Sequence, residues 1–373
     1  MNEAQQSSTN ADSVVRIMIV DDSAIIRGLL TRAFNDVPEI EVVAVASNGA
    51  IALERIKNAA VDIILLDVEM PEMDGLEALP QLLQLSPRSR VIMVSTLTMR
   101  NAEISLRALE LGASDYVTKP TSRGGDNETR QFYEELVRKI KALSGKFRSQ
   151  PSRPSVAAEP AKNKPELAVV TPQMSVPVKY PAHPVKALAI GSSTGGPQAL
   201  ATLFKALSPR FPNVPIFITQ HMPPTFTTIL AHHISQYTGR PSVEGRDGDI
   251  VAPGSVYLAP GNFHMTAEKA NGQVRIRLNQ EPLINYCRPS VDPMLKSLVQ
   301  IYGQGLLTVI LTGMGSDGLG GAREVVAAGG TVIAQDERTS VVWGMPRAVT
   351  ENKLCSAVLA IDDIAPYIVK ACA

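Results

Sequence analysis

The chain has 373 residues, enough for two ordinary domains that each bury a core. Apolar residues make up 45% and charged residues 19%, with Lys+Arg and Asp+Glu equal at 36 each. This composition excludes a disordered chain, and the charge balance offers no overall attraction to nucleic acid or an anionic membrane.

The opening "MNEAQQSSTNADS" is polar and lacks the apolar stretch of a signal peptide. No later run approaches the ~18 apolar residues of a membrane span, so a cytoplasmic location without membrane insertion is expected. From there the sequence alternates short apolar runs with amphipathic stretches. "RIMIV" (16–20), "EVVAVA" (41–46), "DIILLD" (62–67), "RVIMVS" (90–95) and "DYVT" (115–118) read as parallel strands covered on both faces. Helical patterns such as 23–35 and 49–58 fill the gaps. Five such units predict an open, doubly wound α/β sheet of the flavodoxin-like kind, which binds ligands beyond its strands' carboxyl ends.

Polar residues gather at those ends. Strand one runs into Asp21 and Asp22, strand three ends in Asp67, strand four in Ser95, and strand five leads to Lys119. Converging carboxylates repel one another and so call for a divalent cation; an all-oxygen set suits Mg²⁺. A carboxylate beside that ion can attack a phosphoryl donor, with Lys119 neutralising phosphate oxygens and Ser95 hydrogen-bonding to the new group.

Residues 144–184 hold eight of the 27 prolines and show no sustained period, which predicts a semi-extended linker. The expected division is therefore a first domain over 1–143, the linker, and a second domain over 185–373.

After the linker, "KALAIG" (186–191), "PIFIT" (215–219), "LLTVILTG" (306–313) and "TVIAQD" (331–336) predict a second, larger parallel α/β sheet, with helices at 197–207 and 293–302. The first strand empties into Gly191-Ser192-Ser193-Thr194-Gly195, a G-x-S-x-G pattern that can raise Ser193 on a sharp turn. A glycine-rich turn of this kind can instead cradle a phosphate or cap a helix. His221 follows the second strand directly, and Asp317 lies in the glycine-rich segment after the third. Parallel strands deliver their carboxyl ends to one edge, where a serine nucleophile, an imidazole base and an orienting carboxylate can meet. The chain order Ser…His…Asp argues against an α/β-hydrolase. His264, in a loop-like segment, stays open as an alternative base. Cys287, Cys355 and Cys372 are unclustered and read as plain core or surface residues. A phosphorylation-controlled nucleotide-binding module and a transcription factor remain rivals. The first lacks an acidic residue after the next strand, and the second lacks a compact basic helix-turn-helix.

"VDDS", "LLDVEMPEMDG", "MVST" and "ASDYVTKP" resemble a response-regulator receiver domain. The resemblance implies Asp67 as phosphoacceptor, with Asp21, Asp22, Asp67 and the Glu69 carbonyl around Mg²⁺. It also implies Ser95, Tyr116 and Lys119 as switch residues. "AIGSSTGGPQAL", "ITQHMPPTFT", "RPSVDPML" and "VILTGMGSDGLGG" resemble the catalytic domain of the CheB family of chemotaxis protein-glutamate methylesterases. That implies a phosphorylation-regulated serine hydrolase acting on γ-methyl glutamyl esters, and on glutamines, of methyl-accepting chemoreceptors. Ser193, His221 and Asp317 carry over as the catalytic residues, and Thr194 and the Met314 amide as support for the oxyanion. A CheA-type histidine kinase is the implied phosphodonor, and ester hydrolysis itself is expected to need no cofactor. The tether would let the first domain lie over the serine edge and hinder access.

Overall fold

The computed structural model describes residues 14–120, 125–145 and 177–373. In the first domain β1 (Val15–Val20), α1 (Ala24–Asn35), β2 (Ile40–Ala46), α2 (Gly49–Arg55), β3 (Ile63–Asp67), α3 (Gly75–Leu85), β4 (Arg90–Ser95), α4 (Met99–Glu110), β5 (Asp115–Thr118) and α5 (Gly125–Ser144) alternate in order. The strands pair in parallel as β2-β1-β3-β4-β5. β3 and the apolar part of β4 are buried on both faces, which is why their sequences run apolar without alternation. Short polar side chains start the helices. The Ser23 hydroxyl accepts from the Ile26 amide, and Asp74 and Glu77 form a reciprocal capping box. The second helix stops at Arg55, three residues short of the sequence expectation.

The second domain comprises β6 (Ala187–Ser192), α6 (Gly196–Leu207), β7 (Ile216–Gln220), α7 (Phe226–Thr238), β8 (Ser242–Glu244), β9 (Val256–Leu258), β10 (His264–Ala270), β11 (Gln273–Asn279), α8 (Val291–Tyr302), β12 (Leu306–Ile310), α9 (Leu319–Ala327), β13 (Thr331–Gln335), α10 (Met345–Glu351), β14 (Ala357–Leu359) and α11 (Ile361–Ala371). Seven of its strands form one parallel sheet in the order β14-β13-β12-β6-β7-β9-β8. The chain winds outward one way from β6 and later returns to build the other half, so the order reverses between β6 and β12. Such a reversal opens a crevice at the strands' carboxyl ends.

β10 and β11 form a separate antiparallel hairpin, which the sequence reading did not anticipate. Its inner face, including Met265 and Ile276, shares an apolar cluster with Leu295 and Leu298 of α8.

Most of the expected linker, residues 146–176, lies outside the described residues. Its last part, 177–184, has no regular structure but is anchored to the second domain. Tyr180 stacks on Tyr367 at 4.7 Å between ring centroids, and the Tyr367 hydroxyl donates to the Lys179 carbonyl at 2.5 Å.

Candidate active site

The turn from β6 into α6 is built by steric necessity. A Cβ on Gly196 would stand 1.9 Å from Gln220 Oε1, and Gly195 has φ +75°, where side chains are strained. Gln220, at the end of β7, clamps the turn: the Ser192 hydroxyl donates to its Oε1 at 2.6 Å, and its Nε2 donates to the Ser193 carbonyl at 2.9 Å. Ser192 and Gln220 are partners across the parallel pair, and the His221 amide donates to the Ser192 carbonyl at 3.1 Å. Ser193 and His221 are the next residues on two strands spaced about 4.8 Å apart. The register of β6 against β7 therefore brings hydroxyl and imidazole to the same edge.

Asp317, after β12, closes the group. Its Oδ2 lies 2.7 Å from His221 Nε2 and accepts from the Val291 amide at 2.6 Å. Its Oδ1 accepts from Ser290 Oγ at 2.7 Å, from Asn285 Nδ2 at 3.0 Å and from the Gly318 amide at 3.0 Å. The carboxylate thus sits on the amino end of α8, where free amides and the helix dipole favour negative charge. Burial works to raise the Asp317 pKa, but the His221 hydrogen bond and charge, with Val291 and Ser290, hold it down at about 2. For His221, burial works downward and is outweighed by charge on Cys287 and the hydrogen bond to Asp317, which push it up to about 10. The second ring nitrogen, Nδ1, faces Cys287 Sγ at 3.4 Å. Among the described residues, no hydrogen bond joins the Ser193 hydroxyl to His221 in this arrangement.

His264 has no part in this group. It is fully buried, its Nδ1 accepting from the Ser290 amide and its Nε2 facing the Pro282 carbonyl. Arg288 staples its loop by donating to Asn262 Oδ1 and to the carbonyls of Gln280 and Glu281. The sequence reading missed Gln220, Asn285 and Cys287, and with them Ser290, the residue before α8. Its hydroxyl makes no cap and donates to Asp317 instead.

At the first domain's strand ends, carboxylate oxygens of Asp21, Asp22 and Asp67 lie within 4.8 Å of one another. Lys119 Nζ reaches Asp21 Oδ2 at 2.8 Å and Asp67 Oδ2 at 2.7 Å. Burial pushes the Asp67 carboxyl up to about 6 against the pull of Lys119. Three oxygens this close, one of them on exposed Asp22, fit a hydrated divalent cation. Glu69 is exposed beside them, and Ser95 is buried, its hydroxyl accepting from Ser105 at 3.1 Å.

Comparison with known proteins follows the same division. The profile of the CheB methylesterase family matches residues 188–368, and that of the response regulator receiver domain matches residues 17–125. A protein-glutamate methylesterase/protein-glutamine glutaminase of Paramagnetospirillum magneticum is 48% identical over 98% of both chains. Another of that name, from Nitrobacter hamburgensis, is 49% identical over 95% of this chain and 93% of its own. The chain belongs to the CheB methylesterase family. The crystal structure of the Thermotoga maritima CheB methylesterase catalytic domain is 43% identical, covering 50% of this chain and 98% of its own, with a TM-score of 0.48.

In this CheB-family chain the receiver packs on the serine edge. Thr194 Oγ1 donates to Asp115 Oδ2 at 2.7 Å, and Gln198 Nε2 donates to the Ala113 carbonyl at 2.6 Å. Tyr116 stacks on Phe226 with centroids 4.4 Å apart, and one buried apolar cluster runs from Leu106 and Leu109 to Leu230 and Met222. Lys139 fixes Asp115 from behind at 3.1 Å. The Thr194 hydroxyl therefore points at the receiver, not toward an oxyanion as expected, because the Asp115 carboxylate is the stronger acceptor at hand. The side chain of Met314 packs against an apolar cluster that joins Val342 of the second domain to the receiver's core.

Proposed function

We propose that this protein hydrolyses γ-methyl glutamyl esters on methyl-accepting chemoreceptors, and deamidates receptor glutamines, under the control of phosphorylation at Asp67. The observation that supports this most strongly is the 2.7 Å contact between the His221 imidazole and the buried, multiply hydrogen-bonded Asp317, on the strand next to Ser193.

Asp317 holds Nε2 and stabilises the imidazolium, which leaves Nδ1 as the nitrogen that takes the proton of the Ser193 hydroxyl. Ser193 Oγ attacks the ester carbonyl, and negative charge develops on the carbonyl oxygen. The Met314 amide and, once released from Asp115, the Thr194 hydroxyl are the donors assigned to that charge. His221 returns the proton to the departing methanol, and water repeats the cycle on the acyl-serine to give glutamate. With glutamine the same steps release ammonia.

In the receiver, Asp21, Asp22, Asp67 and the Glu69 carbonyl would hold Mg²⁺, which supplies charge neutralisation for phosphoryl transfer. Asp67 accepts the phosphoryl group from a CheA-type histidine kinase, Lys119 pairs with its oxygens, and Ser95 and Tyr116 carry the change outward. The tyrosine that would respond already touches Phe226 of the second domain. Phosphorylation then shifts the population from docked to undocked receiver and opens the serine edge. Among the described residues no helix is long and apolar enough to cross a membrane.

The test is methanol release from methylated receptor membranes, with and without a small-molecule phosphodonor. Ser193→Ala is expected to lower the rate by on the order of 10⁶ with unchanged thermal melting. Hydrolysis retained in that variant would remove Ser193 from its role.

A further inference from the structure

The three cysteines occupy unlike surroundings. Burial pushes Cys355 and Cys372 up to about 11, and Cys355 has the Thr350 hydroxyl beside it, at 3.7 Å. Cys287 ends a tight turn closed by reciprocal bonds between Ile284 and Cys287. The central residues of that turn, Asn285 and Tyr286, have φ +52° and +64°. Left-handed conformations are unfavourable for a bulky residue such as Tyr286, so the turn benefits from an external hold. It has one in Asn285, whose Nδ2 donates to Asp317 Oδ1 at 3.0 Å. A turn pinned to the catalytic carboxylate thereby sets Cys287 Sγ 3.4 Å from His221 Nδ1. Asp317 already occupies Nε2, so sulfur and Ser193 compete for the one remaining ring nitrogen. An imidazole backed by a carboxylate can take the thiol proton and leave a thiolate beside a cation, the environment that makes cysteines reactive. Cys287 is partly exposed, and Tyr286 next to it is 84% exposed, so the turn faces solvent.

We infer that Cys287 is a peroxide-reactive thiol built into the catalytic centre, and that its oxidation shuts the esterase off. The thiolate attacks one oxygen of hydrogen peroxide and the O–O bond breaks. The departing hydroxide takes the proton from His221 and leaves as water. Sulfur loses two electrons to become a sulfenic acid, and peroxide gains them. The enlarged, polar sulfur then holds Nδ1 against Ser193. The loss of esterase activity rests on the function proposed above; the thiol chemistry does not.

The full chain is treated with hydrogen peroxide and dimedone, and the adducts are mapped by peptide mass. Labelling is expected at Cys287 and not at Cys355 or Cys372, with ester hydrolysis falling in parallel and returning on reduction of unlabelled samples. Cys287→Ser, compared with its own untreated rate, should resist peroxide. His221→Gln, which removes the base that can take the thiol proton, should slow iodoacetamide alkylation of Cys287 severalfold. Ser193→Ala should abolish hydrolysis yet keep the labelling, which separates a failure of the functional reading from a failure of this one. Alkylation of Cys287 no faster than at the other two cysteines, or equal peroxide sensitivity in Cys287→Ser, would overturn the inference.

Discussion

Asp115→Ala is the sharpest probe of the docked receiver, because Asp115 lies outside the esterase chemistry yet accepts the hydroxyl next to Ser193. The substitution removes the 2.7 Å bond from Thr194 but leaves the Tyr116–Phe226 stack and the Gln198 bond in place. Lys139 keeps Glu135 at 3.2 Å, which limits the damage inside the receiver. A hydrogen bond to a charged acceptor contributes about 1.5–3 kcal/mol, so the docked-to-undocked ratio should fall at least about tenfold. If docked molecules outnumber undocked ones by about 100 to 1, a tenfold change lifts the undocked share from about 1% to about 9%. Basal methanol release from unphosphorylated enzyme should then rise about ninefold. The assay is that rate without phosphodonor, alongside phosphate incorporation at Asp67 as a check that the receiver remains folded. A rate within twofold of the parent, with phosphorylation intact, would refute the idea that this contact restrains the enzyme.

Two further predictions concern pH and the receiver. His221 must be neutral to accept the serine proton, and its pKa is pushed up to about 10, so kcat/KM should climb roughly tenfold per pH unit between 7 and 9. A flat profile over that range would contradict it. The same elevation means that the His221 contribution to stability is complete below its ordinary value of 6.5 and disappears as pH rises through about 10. Asp67→Ala should keep the basal rate and lose stimulation by phosphodonor, and chelating Mg²⁺ should do the same to the parent enzyme. Full stimulation in Asp67→Ala would place the phosphoacceptor elsewhere.

The two parallel sheets were legible because their inner strands are buried on both sides and read as unbroken aliphatic runs. The β10–β11 hairpin escaped notice because its strands mix charges with apolar residues, as in "HMTAEKA" and "QVRIRLN". The Asn271-Gly272 pair between them, both at positive φ, is the hairpin signal that could have revealed it. The meeting of His221 with Asp317 could be anticipated from strand ends, since parallel topology fixes where those ends lie. The donors around Asp317 could not, because Asn285 and Ser290 reach it from a loop and a helix start whose placement depends on tertiary packing. Cys287 looked like an ordinary residue for the same reason: its proximity to the imidazole comes from a turn geometry that sequence spacing does not encode.

Asp317 serves two masters. The oxygen that steadies the imidazole also receives the first amide of α8, so the helix under the hairpin is moored to the same atom that tunes the base. Truncating this side chain would loosen a scaffold element as well as detune a reaction. Asparagine, which keeps an acceptor for the helix while surrendering the charge, is the substitution that can tell architecture and reactivity apart.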